Sequence, residues 1–251
     1  MRDVKLEFFK TRGRGIGLIL CAMLAVEVLW MAWAFHSPDE DDMVWGWMLL
    51  LYNHPLLRGI IFPTVAAVLA SKLADLEHKS GSLRLLETVQ EPGRLYAAKF
   101  VCGGVYVTAV ALLETAALLL TGSLYGFYGA PDLWAFALTL LFDVVLGLEL
   151  LAVQLALSMR VKNQALALCV GCGGSFVGLL LMFLPGLPWL RALIPWGQVG
   201  ALMFVGMDWN KVDRFIGMYY MDVAWPVLFV AVFYLAAAFL IGRRAFVRME
   251  V

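Results

Sequence analysis

The sequence lacks the motifs by which a chain binds a nucleotide or a catalytic zinc ion. Its 251 residues contain no Walker A sequence and no Gly-rich fingerprint at a strand–helix junction. The three histidines form no HExxH motif, so a zinc protease has no support. Internal repeats are absent, and no loop is long enough for a soluble catalytic domain. Any energy input must come from an ion gradient or from another polypeptide.

Charged residues and cysteines are also scarce. Charged side chains make up 15% of the chain, and the formal net charge of zero gives no reason to expect a nucleic-acid partner. The four cysteines all fall in apolar stretches. Cys169 and Cys172 have a CxxC spacing, but no second pair and no nearby histidine accompany them. They are therefore interpreted as small apolar residues, and no metal site is expected.

Apolar residues dominate what remains, at 63% of the chain with a mean hydropathy of +0.84. A helix needs about 20 mostly apolar residues to cross the roughly 30 Å hydrocarbon layer. The runs are continuous and rich in Leu and Ala, which favours helices over the alternating strands of a barrel. The sequence therefore predicts an all-α membrane protein with six transmembrane helices, near Ile16–Phe35, Met48–Leu73, Ala97–Leu119, Trp134–Leu157, Ala165–Leu184 and Val223–Ile241.

The distribution of cations predicts the orientation. Of the 19 Lys and Arg residues, 15 lie before the first span, around the loop between spans two and three, between spans four and five, or after span six. The other side carries the acidic run Asp39–Asp42 and few cations. By the positive-inside rule, both termini are cytoplasmic. The first span lacks a small-residue cleavage site after it and is expected to be retained.

Two regions can be divided into helices in more than one way. The stretch Val44–Lys72 exceeds a straight crossing, and we favour one long bent helix, with Pro55 and Pro63 as kink points, over an interfacial helix at Met43–Leu57 followed by a short span. The external segment Pro185–Asp222 is rich in Pro, Trp and Tyr. Its short apolar pieces are predicted to be interfacial or re-entrant helices, at Leu187–Pro195 and Val199–Met207.

Two cytoplasmic segments are predicted to be amphipathic helices. Residues 1–14 interleave cations with apolar side chains, which suits an interfacial helix preceding a transmembrane domain at 15–247. Between spans two and three, Ser82–Glu91 has an apolar side formed by leucines, and Pro92-Gly93 would end the helix. The segment is either an ordinary connector or a docking helix held between two spans.

Four carboxyl groups fall inside the predicted spans, where each is costly against lipid. Glu27, Asp143 and Glu149, together with Gln154, are candidates for a polar pathway, either for a cationic substrate or for protons. The alternative is a structural hydrogen bond to a neighbouring helix. Asp143 and Glu149 lie six residues apart and do not share a helix face. Glu114 stands alone in an apolar helix, so removal of its charge is expected to have little effect.

A set of residues around the cytoplasmic side resembles a known family. An E-x-x-K pair, Glu7 and Lys10, leads into span one, and span two ends in an acidic residue followed by glycine, a Leu-Leu pair, arginine and a lysine that starts span three. With six spans and a short outer segment before the last, the chain resembles the permease subunit of an ABC-2 type exporter. Its size and E-F-F-K start are similar to lantibiotic-immunity permeases. The motif residues are Glu77, Gly81, Leu85, Leu86, Arg94 and Lys99.

The resemblance implies a mechanism and partners. It implies a permease of the bacterial cell membrane that pairs with a second permease, identical or homologous, and with two ATP-binding subunits. ATP and magnesium would be bound by those subunits, and this chain would hold no cofactor and have no enzyme activity. The substrate would be an amphipathic antimicrobial peptide expelled to the outside. The residues implied in coupling to the ATPase are Glu77, Gly81, Arg84, Leu85, Leu86, Glu87 and Arg94.

Two other classes of function are compatible with part of the sequence. Buried carboxylates permit an ion-coupled secondary transporter, although the matched broken helices of inverted repeats are missing. A non-transporting membrane scaffold would need neither buried charge nor an amphipathic cytoplasmic helix.

Overall fold

A computed structural model of the chain describes residues 2–80, 91–161, 163–184, 186–209 and 217–248, without the side chains of residues 2 and 76–80. Within these ranges the chain is almost entirely helical. The helices are α1 (Arg2–Thr11), α2 (Ile16–Ala34), α3 (Glu40–Ser80), α4 (Pro92–Tyr125), α5 (Leu133–Arg160), α6 (Gln164–Met182), α7 (Pro188–Leu193), α8 (Gln198–Ala201) and α9 (Trp225–Val247). A 3-10 turn at Pro195–Gly197 and the strands β1 (Val205–Asp208) and β2 (Gly217–Tyr220) complete the described structure.

The six predicted spans are confirmed. Helices α2, α3, α4, α5, α6 and α9 each contain a window long and apolar enough to cross a bilayer. Helix α5 lies at the centre, with α3 and α9 packed along it and α6 packed along α3. The N-terminus of α5 is capped by Asp132, whose carboxylate accepts hydrogen bonds from the backbone of Trp134 and Ala135.

Helix α3 resolves the question about the second span. It is one continuous helix of 41 residues with Pro55 and Pro63 inside it, so the prediction of a single long helix is confirmed. At 1.5 Å per residue it is about 60 Å long, roughly twice the hydrocarbon thickness. The helix therefore extends well beyond the apolar layer.

The outer segment between α6 and α9 is only partly helical. Helices α7 and α8 are present, but the predicted helix at Val199–Met207 is wrong beyond Ala201, because the chain continues into the antiparallel ribbon β1–β2. The ribbon gives the backbone cross-strand hydrogen bonds and still buries one side chain from each strand, Val205 and Met218. The apolar side chains that favoured a helix in the sequence instead form the buried face of this ribbon.

The N-terminal helix α1 turns sharply into α2. Gly13 and Gly15 both have positive φ, at 83° and 71°, a conformation that other residues adopt only with strain. Helix α1 then lies against α4, where Phe8 packs on Tyr106 with ring centroids 5.6 Å apart. Thr11 and Tyr106 share a hydrogen bond of 3.1 Å between their hydroxyl groups.

Buried apolar residues form two clusters along the bundle. The outer cluster includes Leu50, Leu51 and Phe142 and is closed by the outer segment. The inner cluster includes Phe62, Leu73 and Tyr96. Between these two clusters α3 carries a titratable residue, His54, and a charged residue, Arg58.

Candidate functional site

Five charged or titratable side chains from four spans meet in the interior of the bundle. Glu27 comes from α2, His54 and Arg58 from α3, Glu114 from α4 and Asp143 from α5, and each side chain is buried. We call these five residues the buried charge cluster. Counted along their helices, Glu27, Glu114 and Asp143 lie roughly 10–17 Å from the outer helix ends, which places the cluster in the outer half of the bilayer by the predicted orientation.

Arg58 is the centre of the buried charge cluster. Its guanidinium group forms ion pairs with Glu114 and with Asp143, the latter at 3.2 Å between Nε and Oδ1. The guanidinium carbon lies 3.1 Å from the centroid of the Phe62 ring, a cation–π contact. Arg58 is only 1% exposed, so bulk water and lipid headgroups do not solvate its charge. The carboxylates around it provide the compensation that a buried cation requires.

His54 contacts Asp143 and lies between two small cavities. Its Nε2 atom lies 3.0 Å from Oδ2 of Asp143, within hydrogen-bond distance. His54, Arg58 and Asp143 line a small outer cavity whose other lining residues include 199 and 202–205 of the outer segment. A second small cavity is lined by Glu27, His54 and Glu114. His54 therefore separates two small cavities that both contain carboxyl groups.

The remaining predicted pathway residues lie away from the cluster. Glu149 is completely buried, and neither of its carboxyl oxygens has a hydrogen-bond partner among the described residues. It is six positions beyond Asp143 on α5, or about 9 Å along the helix axis. Gln154 lies further along α5, towards the end that is predicted to be cytoplasmic. With its amide nitrogen donating to the Ala167 carbonyl (3.1 Å) and its oxygen accepting from the Gly171 N–H (3.2 Å), it joins α5 to α6.

The expectation that Glu114 stands alone is wrong. Its carboxylate contacts Arg58, so the charge that was expected to be silent is part of the cluster. Arg58 and His54 were not predicted as site residues. The available signal was their spacing, because residues 54, 58 and 62 recur every four positions and therefore share one face of a helix. An arginine on such a face, deep within a span, requires a buried partner.

A second set of charges joins helices at the end of the bundle that is predicted to be cytoplasmic. Lys99 of α4 is completely buried, and its Nζ atom donates to Glu7 of α1 (2.9 Å) and to the Leu73 carbonyl of α3 (2.7 Å). Glu7 also accepts from Lys10 at 2.6 Å. These contacts join α1, α3 and α4, and we call them the cytoplasmic brace. Through Glu7, the E-x-x-K pair of α1 therefore meets Lys99, which lies 92 positions beyond Glu7 in the sequence.

The residues implied in ATPase coupling are mostly outside the described part of the chain. Gly81, Arg84, Leu85, Leu86 and Glu87 are not described, and of Glu77 only the backbone, in α3, is described. Arg94, at the start of α4, forms an ion pair of 3.1 Å with Asp3 of α1 and is 65% exposed. Two residues of the cytoplasmic brace flank residues 81–90 in the sequence: Leu73 lies eight positions before them and Lys99 nine positions after them.

Comparison with known proteins identifies the family. Residues 4–178, more than two thirds of the chain, match the family described as ABC-2 family transporter protein. The match covers nearly all of α1, the first four spans completely and most of the fifth, and with them the buried charge cluster and the cytoplasmic brace. No curated protein is significantly similar in sequence. The chain therefore belongs to the ABC-2 transporter family, as a multi-pass membrane subunit that is not itself the ATPase and is of the kind that works with ATP-binding subunits.

Proposed function

We propose that this chain is the permease subunit of an exporter in the bacterial cell membrane that expels amphipathic, cationic antimicrobial peptides. Two permease subunits, identical or homologous, would pair with two ATP-binding subunits, and those subunits would bind ATP and magnesium. The observation that carries the substrate proposal is the outer cavity above the buried charge cluster. Three carboxyl groups in the cluster face one guanidinium and one imidazole group.

The chemistry of this site suits part of an amphipathic cation. Asp143 lines the outer cavity, whereas Glu27 and Glu114 line the second cavity beyond His54. These three carboxyl groups outnumber the one guanidinium group of the cluster, so their Coulomb attraction favours a ligand cation, and it is strengthened where water is excluded. The wall formed by Leu51, Phe142 and Phe204 accepts apolar groups. The outer cavity is far too small for a whole peptide. The site would engage one residue of the peptide while the rest lies at the membrane surface.

Export of a peptide is tested by protection of living cells. Cells that express the chain with its ATP-binding partner should survive higher concentrations of cationic amphipathic peptides than cells without it. Asp143→Asn removes one carboxylate from the outer cavity and should abolish this protection. Asp222→Asn makes the same charge change on an exposed residue near the outer end of α9 and is the matched control. Equal protection by the two variants at matched membrane levels would contradict the substrate proposal.

The coupling part of the proposal rests on the cytoplasmic brace. A helix at Ser82–Glu91 would transmit nucleotide-driven closure only if the spans on either side resist bending. The brace holds α4 against two other helices by the buried ammonium group of Lys99, which lies on α4 and donates to the Leu73 carbonyl of α3 and to Glu7 of α1. This rigidity supports a docking role for residues 82–91, because conformational work requires different contacts in two states.

Coupling is tested separately from substrate choice. Leu86→Asp should uncouple ATP hydrolysis from export without preventing membrane insertion, because a charge buried in a docking groove without a partner is costly. Leu86→Met keeps an apolar side chain and is the control. Unchanged export by the aspartate variant would make the segment a connector only.

A further inference from the structure

Three arginines at the cytoplasmic end of the bundle line one open cavity. Arg160 ends α5, and Arg244 and Arg248 lie one turn apart near the end of α9. Together with Ile241 and Ala245 they line a space of about 450 Å³. The α9 residues recur at spacings of three and four, so they share one face of that helix. The cavity is distinct from the buried charge cluster and from the cytoplasmic brace.

The positive charge of this cavity is not compensated within the described chain. No acidic side chain there lies within ion-pair distance of Arg160, Arg244 or Arg248. Neighbouring cations have protein partners, and Arg243, for example, donates from Nε to the Gly93 carbonyl at 3.1 Å. Three exposed guanidinium groups held around one space repel one another. An anion placed between them would remove this repulsion and accept their hydrogen bonds.

The apolar side of the cavity continues towards the bilayer. Ile241 lines the cavity and is 60% exposed, and Leu240 and Phe233 on the same helix are also exposed. In a transmembrane helix such side chains contact acyl chains rather than water. The cavity thus presents cations at the level of the headgroups and an apolar surface below them. This combination matches a lipid, with a charged head and apolar chains, better than a small soluble anion.

We propose that this cavity binds an anionic phospholipid of the cytoplasmic leaflet. The lipid phosphate would lie between Arg160, Arg244 and Arg248, since guanidinium groups form paired hydrogen bonds with phosphate oxygens. An acyl chain would lie along α9 past Ile241. Basic pockets between transmembrane helices on the cytoplasmic side are suited to such headgroups. The bound lipid would join the ends of α5 and α9, the helices that carry these arginines.

Native mass spectrometry of the purified full-length chain tests this site. The probes are phosphatidylglycerol and phosphatidylcholine with identical acyl chains. We expect one phosphatidylglycerol molecule to stay bound per chain under conditions that remove phosphatidylcholine. The triple variant R160Q/R244Q/R248Q should bind phosphatidylglycerol roughly 100-fold more weakly, because each arginine near an anionic surface contributes about a factor of five. Arg244→Gln alone should give an intermediate loss.

A matched variant separates this site from general surface charge. K5Q/R12Q/R14Q removes three exposed cations from or next to α1 on the same side of the membrane, so it should retain the tightly bound lipid. Equal losses in the two triple variants, or equal retention of phosphatidylcholine, would overturn the proposal. So would displacement of the lipid by millimolar inorganic phosphate, which would identify a site for soluble anions. Because all three arginines are exposed, the thermal unfolding of the cavity variant without added lipid should match that of the wild type.

Discussion

Replacing Arg58 with methionine tests whether the buried charge cluster is one interdependent network. Methionine keeps an apolar chain of similar length but leaves the carboxylates of Glu114 and Asp143 buried without their shared cation. Breaking a buried pair in this way costs about 3–5 kcal/mol. For a chain of this size each kcal/mol shifts the unfolding midpoint by about 2–4 °C, so we expect Arg58→Met to lower it by roughly 6–20 °C.

A second substitution, Glu114→Gln, is predicted to change stability in opposite directions in the wild-type and Arg58→Met backgrounds. In the wild-type background, Glu114→Gln removes a charged partner of Arg58 and should destabilise by about 1.5–3 kcal/mol. In the Arg58→Met background the same change neutralises a carboxylate that has lost its cation, so it should stabilise. Glu149→Gln is the control, because Glu149 is equally buried but lies outside the cluster. Its effect should be the same in both backgrounds.

The assay is thermal unfolding of the detergent-purified variants, followed by tryptophan fluorescence in one detergent throughout. Reduced membrane insertion is monitored in parallel by the amount of chain in the membrane fraction. The reasoning is refuted if Arg58→Met unfolds within about 2 °C of the wild type, or if Glu114→Gln has the same sign of effect in both backgrounds.

Three further predictions concern packing, titration and orientation. Gly178→Ala should destabilise by about 1–3 kcal/mol because the new methyl group would meet the backbone carbonyl of Trp196, whereas Gly173→Ala on the same helix meets nothing within 4 Å and should be silent in thermal unfolding. Burial, with the nearby carboxylate of Asp132, raises the pKa of Tyr220 to about 12. The folded state therefore keeps a proton that the unfolded state loses near pH 10, so stability should fall between pH 10 and 12, and Tyr220→Phe should reduce this fall. In a cysteine-free background, a cysteine at residue 41 should react with an impermeant thiol reagent added outside cells and one at residue 82 should not, and labelling of residue 82 would overturn the orientation.

The six spans could be predicted from the sequence because hydropathy is a local property. Each span is a continuous run whose length alone distinguishes it from a soluble helix, and the structure places a helix over every run. Even the continuity of α3 through two prolines followed from the length of its apolar stretch. The helix α1 was predicted from its alternation of charged and apolar residues in the same way.

Partners within the site could not be predicted, because pairing across the bundle is not local. Arg58 and Glu114 are 56 positions apart, and Glu7 and Lys99 are 92 apart. The sequence indicates that each charge is costly inside a span, but not which neighbour compensates it. The prediction for Glu114 was wrong for this reason, because the residues of its own helix give no sign of the arginine on α3 that pairs with it.

The outer ribbon was missed for a related reason. Residues 205–208 form a strand only because residues 217–220, further along the chain, pair with them. Short apolar runs do not distinguish a strand from a helix by pattern alone. The coupling role of residues 82–91 stays a prediction, and the cytoplasmic brace is the structural feature that makes it worth testing.

Transport into inside-out vesicles tests the central claim most directly. Vesicles that contain the chain and its ATP-binding partner are given a fluorescent cationic amphipathic peptide, with either ATP or a proton gradient as the only energy source. An ATP-driven permease predicts accumulation of the peptide with ATP, none with the gradient alone, and none when the ATP-binding partner cannot hydrolyse ATP. Accumulation driven by the proton gradient without ATP would contradict the account and identify an ion-coupled transporter.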